Sequence, residues 1–168
     1  MRFSKNEHVF HESGGVCEIL DILTAPLEGM PKDRVYYVMR SLHDANGVIY
    51  APVDSDAIFI RPLLSRGQAE RLLTEMDAIE PIDEPNPKLL RAKYVEAMQT
   101  YLPSEWIRVI KTATVRMQLL SLRSQRMSET ERSYYENAKR NLCEELSIVL
   151  GMQSHEVEAL FAEKTTVS

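Results

Sequence analysis

The pattern of apolar and polar positions changes once along the chain, near residue 65. Before that point, apolar residues come in short runs separated by turn formers. Glu7-His8-Val9-Phe10-His11 precedes Ser13-Gly14-Gly15. Val16–Leu23 follows without a clean polar face, the pattern of a short, largely buried strand. Pro26, Gly29 and Pro31 break the chain, and Arg34–Arg40 then has the β-branched and aromatic content of a strand. Asn46-Gly47, where both residues tolerate positive φ, predicts a hairpin turn leading into Gly47–Val53. Pro52 has no N–H for a ladder, which puts its strand at a sheet edge or at its own end. Asp56–Arg61 reads as a last short strand. Five such strands over about 55 residues predict a small, strongly bent barrel.

From Ser65 onward the apolar spacing is helical. Ser65 and Gln68 predict a capping box opening a helix over Arg66–Ile79, with Ala69, Leu72, Leu73 and Met76 on one face. Glu80–Pro87 holds three prolines and is expected to be a non-helical connector. Helices are then expected over Lys88–Tyr101, Pro103–Arg126, Ser128–Gly151 and Ser154–Glu163. Pro103 suits a first turn, Ser128-x-x-Glu131 is a second capping box, and Gly151 suits a C-cap. Trp106, with Ile107, Val109 and Ile110, is the expected anchor of a bundle core. The fold class is therefore α+β: an N-terminal β-barrel over 1–64, a helix and proline-rich connector over 65–87, and an all-α bundle over 88–168.

At 168 residues the chain suits one ordinary domain or two small ones, and 44% hydrophobic with 27% charged residues is a globular composition. No run approaches the roughly 20 apolar residues of a membrane helix, so a cytoplasmic protein is expected. Cys17 and Cys143 stand in opposite halves and are expected to be free buried thiols rather than a disulfide framework. The net charge of −5 hides an asymmetry: residues 1–87 carry −7 and residues 88–168 carry +2, with +6 concentrated in 88–140. A basic segment of this kind can meet phosphate, although a solvated helical face gives the same count.

The residues that carry chemistry elsewhere are missing as patterns here. His8 and His11 are three apart, which in a strand points them to opposite faces, so they read as structural or surface histidines rather than a metal pair. No Cys-x-x-Cys, His-Glu-x-x-His or phosphate-loop spacing occurs. Glu144 and Glu145 are adjacent on a helix and diverge by about 100°, the wrong geometry for paired carboxylates. No enzyme, cofactor or metal is expected. Cations do recur at helical spacing: Lys88 and Arg91 share a face, Lys93 lies on its flank, and Arg116, Arg123 and Arg126 follow down the next long helix. Such side chains can grip a phosphate backbone without reading bases.

Val9-Phe10-His11-x-x-Gly14-Gly15-Val16, Tyr36-Tyr37-Val38, Ile49-Tyr50-Ala51-Pro52-Val53 and Ile60-Arg61-Pro62 resemble the polymerase-interacting domain shared by bacterial CarD-type regulators and the transcription-repair coupling factor. The second half is similar to the helical C-terminal domain of CarD regulators, through the acidic connector, Arg91-x-Lys93, a long helix, and Ser128-Glu129-Thr130-Glu131-Arg132 opening a helix with Leu142, Glu145 and Leu146. The resemblance implies a Tudor/SH3-like barrel that docks on the RNA polymerase β subunit through Pro26, Leu27, Tyr50, Ala51 and Pro52. It also implies helices that touch promoter DNA at the upstream edge of the bubble, through Lys88, Arg91, Lys93 and Arg132, and so stabilise the open complex. Such a protein is a monomeric transcription regulator associated with the nucleoid, with no membrane contact. A protein-binding adaptor without DNA contact is the alternative. Where family members carry arginines near the barrel hairpin, this chain has Ala25 and Tyr50, and the place of a family tryptophan falls on Pro87 or Lys88.

Overall fold

A computed structural model describes residues 2–165 and divides the chain into two compact units, the first ending at Leu63 and the second beginning at Leu64. The first unit is a five-stranded antiparallel sheet: β1 (His8–His11), β2 (Gly15–Thr24), β3 (Val35–Ser41), β4 (Asp44–Pro52) and β5 (Ile60–Pro62), in the order β4-β3-β2-β1-β5. Strand alternation delivers Val9, Cys17, Ile19, Tyr37, Met39 and Ala51 to one core, joined by Phe3 and Ile60. The Tyr37 hydroxyl accepts the Arg2 and Phe3 N–H groups at 3.1 Å each, which ties the leading segment to that core. A register shift between Ile19 and Asp21 inserts Leu20 as a bulge. That extra residue, together with Val16 and Cys17 both being buried at the start of the strand, is why β2 shows no clean polar face in sequence.

Three expectations are corrected here. The sheet is not closed: β4 and β5 are its two edges, and the ladder among the described residues ends at each. Asn46-Gly47 is not the hairpin turn, because the chain reverses at Leu42-His43, where Ser41 pairs with Asp44, and the register then jumps to Arg40 opposite Val48. The Asp44 carboxylate causes this, accepting the Asn46 and Gly47 N–H groups at 3.3 and 3.0 Å and holding both residues in a bulge at negative φ. The last strand starts at Ile60 rather than Asp56, since the Ser55 hydroxyl takes the Ala57 N–H at 3.2 Å in a side-chain turn.

The paired glycines of the first hairpin serve different ends. Gly15 has φ of 67°, while a Cβ on Gly14 would stand 2.5 Å from Ile49 Cδ1 and 2.9 Å from Cys17 Sγ. Beside them His11 is buried, and its Nδ1 accepts the Ser13 and Gly14 N–H groups at 3.2 and 3.1 Å. Burial lowers the imidazole pKa below its ordinary value near 6.5, against a smaller opposing pull from Glu12.

The second unit holds α1 (Arg66–Glu75) with a 3-10 turn at Met76–Ala78, then α2 (Pro87–Gln99), α3 (Pro103–Leu122), α4 (Glu129–Leu150) and α5 (Ser154–Thr165). Ser65 and Gln68 form the complete capping box of α1. Asn86 caps α2, its side chain accepting the Lys88 and Leu89 N–H groups at 3.0 and 3.2 Å, with Pro87 in the first turn. α3 stops at Leu122, four residues before the expected end, and Ser124 turns left-handed at φ 55°. Gly151 ends α4 at φ 64°. The core gathers Leu90 and Tyr94 of α2, Trp106, Ile107 and Ile110 of α3, and Leu142 and Leu146 of α4. The long side chains of α3 and α4 also fasten the leading segment of this unit. Buried Lys111 Nζ donates to the Met76 and Ile79 carbonyls at 2.6 and 2.7 Å, Thr112 Oγ1 accepts Ile82 N–H at 2.8 Å, and buried Glu145 Oε1 accepts Leu64 N–H at 2.8 Å. Each satisfies a backbone group that burial would otherwise leave costly.

Candidate functional site

The open edge β4 carries three of the five residues expected at a protein contact. Val48, Tyr50 and Pro52 alternate onto one face, and Ile49 and Ala51 onto the other, where Ala51 is fully buried in the core. Tyr50 is half-buried opposite Val38, and Pro52 is half-buried opposite Tyr36. Any contribution of Ala51 to a partner would come from its backbone. Pro26 and Leu27, the latter 47% exposed, sit in the β2–β3 loop next to Ala25, whose N–H reaches Arg34 O at 3.0 Å and whose φ is 43°. The register brings that loop to the same sheet end as Pro52, because Val53 N–H meets Val35 O at 3.0 Å and Arg34 Nε meets Asp54 at 3.2 Å. The arrangement offers an unpaired backbone edge with apolar side chains along it, the geometry of strand addition.

In the second unit, Lys88 and Arg91 are exposed on α2 and Arg132 is exposed in the second turn of α4. Lys93 differs: its Nζ lies 3.2 Å from Glu84, whose carboxyl is held low first by the Asn86 N–H and then by Lys93 itself. The four therefore do not form one uniform patch.

Packing creates a different basic feature between the start of α2, the end of α3 and the start of α4. Arg91, Arg116 and Arg126 line a cleft of about 380 Å3 there, with Tyr94, Tyr134 and Glu131. Arg116 Nε and Glu131 Oε1 meet at 2.5 Å, and the Tyr94 hydroxyl donates to the same oxygen at 3.2 Å. Ser128 caps α4 by accepting the Glu131 N–H at 3.2 Å, but the Glu131 side chain is turned to Arg116, so only half of the expected capping box exists. Burial, then the charge of Glu131, pushes the Tyr94 phenol well above its usual range, and Glu131 raises Arg116 further. Tyr94 and Tyr134 stack with centroids 5.8 Å apart and planes at 27°. The recurrence of Arg116 and Arg126 was visible in sequence; their meeting with Arg91 was not, because it depends on how three helices pack. Trp106 is buried in the core as expected, and no His, Cys, Asp or Glu cluster among the described residues could hold a metal.

Residues 3–64 match the CarD-like/TRCF RID domain and residues 107–162 match the CarD C-terminal domain. The chain belongs to the CarD family. Its RID domain is an RNA polymerase-interacting module, and a CarD-family chain is an RNA polymerase-interacting transcription factor. The β4 edge lies inside the first match, and Arg116, Arg126 and Arg132 lie inside the second. Lys88, Arg91 and Lys93 fall between the two. No curated protein matches the CarD-family chain significantly. No helix among the described residues is long and apolar enough to cross a membrane.

Proposed function

We propose that this CarD-family chain regulates transcription initiation by docking its first unit on the RNA polymerase β subunit and applying its helical unit to promoter DNA at the upstream edge of the bubble. The observation that carries this reading is the coincidence of the polymerase-interacting match with an unpaired sheet edge at Asp44–Pro52. We read the bent five-stranded sheet as a Tudor/SH3-like barrel left open, with Tyr50, Pro52, Pro26 and Leu27 making an apolar contact and the backbone of Ala51 pairing across it. Lys88, Arg91 and Arg132, with a smaller share from Lys93, neutralise DNA phosphates and prolong the open complex without reading sequence. The protein acts as a cytoplasmic, nucleoid-associated monomer and needs no cofactor.

A polymerase-bound adaptor without DNA contact is the second reading, favoured by the Lys93–Glu84 pair, which occupies one of those four cations, and by the Arg116–Glu131 pair, which occupies another cation of the helical unit. The test is co-purification of the full chain with polymerase, followed by salt-dependent binding to a fork-junction duplex. Polymerase capture with DNA binding supports the main reading. Capture without DNA binding supports the adaptor.

A further inference from the structure

Among the described residues, Arg91 and Arg126 make no ion pair and no side-chain hydrogen bond, although both line the cleft that Arg116 also lines. A concave wall with three guanidinium groups and one carboxylate carries uncompensated charge, which water screens less well than it does on a flat surface. The neighbouring cleft of about 510 Å3 shows the contrast, because its cations are matched: Lys93 with Glu84 and Arg108 with Glu105 at 2.9 Å. At about 380 Å3 the arginine cleft has the volume of a small-molecule site. The hydroxyl residues Ser128 and Thr130 line it as well, at the positive end of α4.

We propose that this cleft binds the phosphate of a free phosphorylated small molecule of nucleotide size. Arg91 and Arg126 supply the first donors, in the planar fork geometry that suits phosphate oxygens. Glu131 acts as an internal competitor: it holds Arg116 until the incoming dianion draws that guanidinium away. The site shares Arg91 with the DNA contact proposed above but does not depend on it, and the same chemistry could instead serve a backbone phosphodiester of DNA.

Isothermal titration of the full chain with inorganic pyrophosphate and with ADP, beside titration with a fork-junction duplex, separates these sources. Both probes should bind the wild-type chain. Arg126→Ala, an exposed change that leaves the core untouched, should weaken them about tenfold while moving duplex affinity less than about twofold. Glu131→Gln should tighten both probes several-fold by releasing Arg116. Absence of pyrophosphate and ADP binding at millimolar concentration, or an Arg126→Ala variant that binds them as before, overturns the proposal. A duplex affinity that falls tenfold in Arg126→Ala while neither small probe binds assigns the cleft to the DNA backbone, and Glu131→Gln binding no tighter removes the role given to Glu131.

Discussion

Arg116 and Glu131 meet at 2.5 Å across the corner between α3 and α4, and the Tyr94 hydroxyl closes on the same carboxylate oxygen. The Glu131 side chain is only 11% exposed, so these two donors replace the water it has lost. Arg116→Met should cost about 2 kcal/mol, below the full penalty for an orphaned buried charge because the site is partly solvated. Combining it with Glu131→Gln should recover about half of that loss. Urea unfolding of the single and double variants measures both values, and strict additivity would mean that the pair contributes no coupling.

His11 supplies a pH dependence with a definite sign. Its folded-state pKa is lowered by burial, so the unfolded chain binds the proton more readily. The contribution is fully present above the ordinary value near 6.5 and is lost as pH falls from there toward the lowered folded value. Protonation also removes the acceptor that holds the Ser13 and Gly14 N–H groups. The melting temperature of the wild-type chain should fall on going from neutral to mildly acidic pH. His11→Asn, which keeps an acceptor but cannot titrate, should flatten that slope in parallel thermal melts.

The helical cations are predicted to act unequally. Replacing Arg91, Lys93 and Arg132 with alanine should flatten the dependence of log affinity on log salt by about two to three units, at roughly 0.9 per lost phosphate contact. Because Lys93 already faces Glu84, Lys93→Ala alone should change the slope less than Arg91→Ala alone. The triple variant should shorten open-complex lifetime while binding polymerase normally. Salt titrations on a fork-junction duplex, paired with open-complex decay, check both points.

Local signals carried far into the fold. Ser65, Ser128, Pro103 and Gly151 mark helix ends that the structure keeps, since caps act within one turn. The β3–β4 turn was misplaced because Asp44 outcompetes Asn46-Gly47 through a side-chain bond that no pair preference records. α3 ends early where Ser124 turns left-handed and the Gln125 N–H closes on Leu120 O at 2.8 Å, a closure that the apolar spacing does not signal. Lys111 and Glu145 are charged residues in a core, and their carbonyl and amide partners lie 32 and 81 positions away in the closest cases. The arginine cleft escaped for the same reason. Arg91 and Arg126 belong to different segments, and only packing brings them to one wall.

The docking claim rests most directly on Tyr50, which lies on the face of β4 opposite Ile49 and Ala51 and can therefore be changed without entering the core. A charge there would be buried unpaired against an added strand. The decisive measurement is the affinity of the purified full chain for immobilised polymerase β subunit, wild type against Tyr50→Glu, with circular dichroism and melting temperature recorded for both. The account predicts wild-type binding and its loss in Tyr50→Glu at unchanged fold. Equal affinity in a folded Tyr50→Glu chain, or no binding by the wild type, would contradict it.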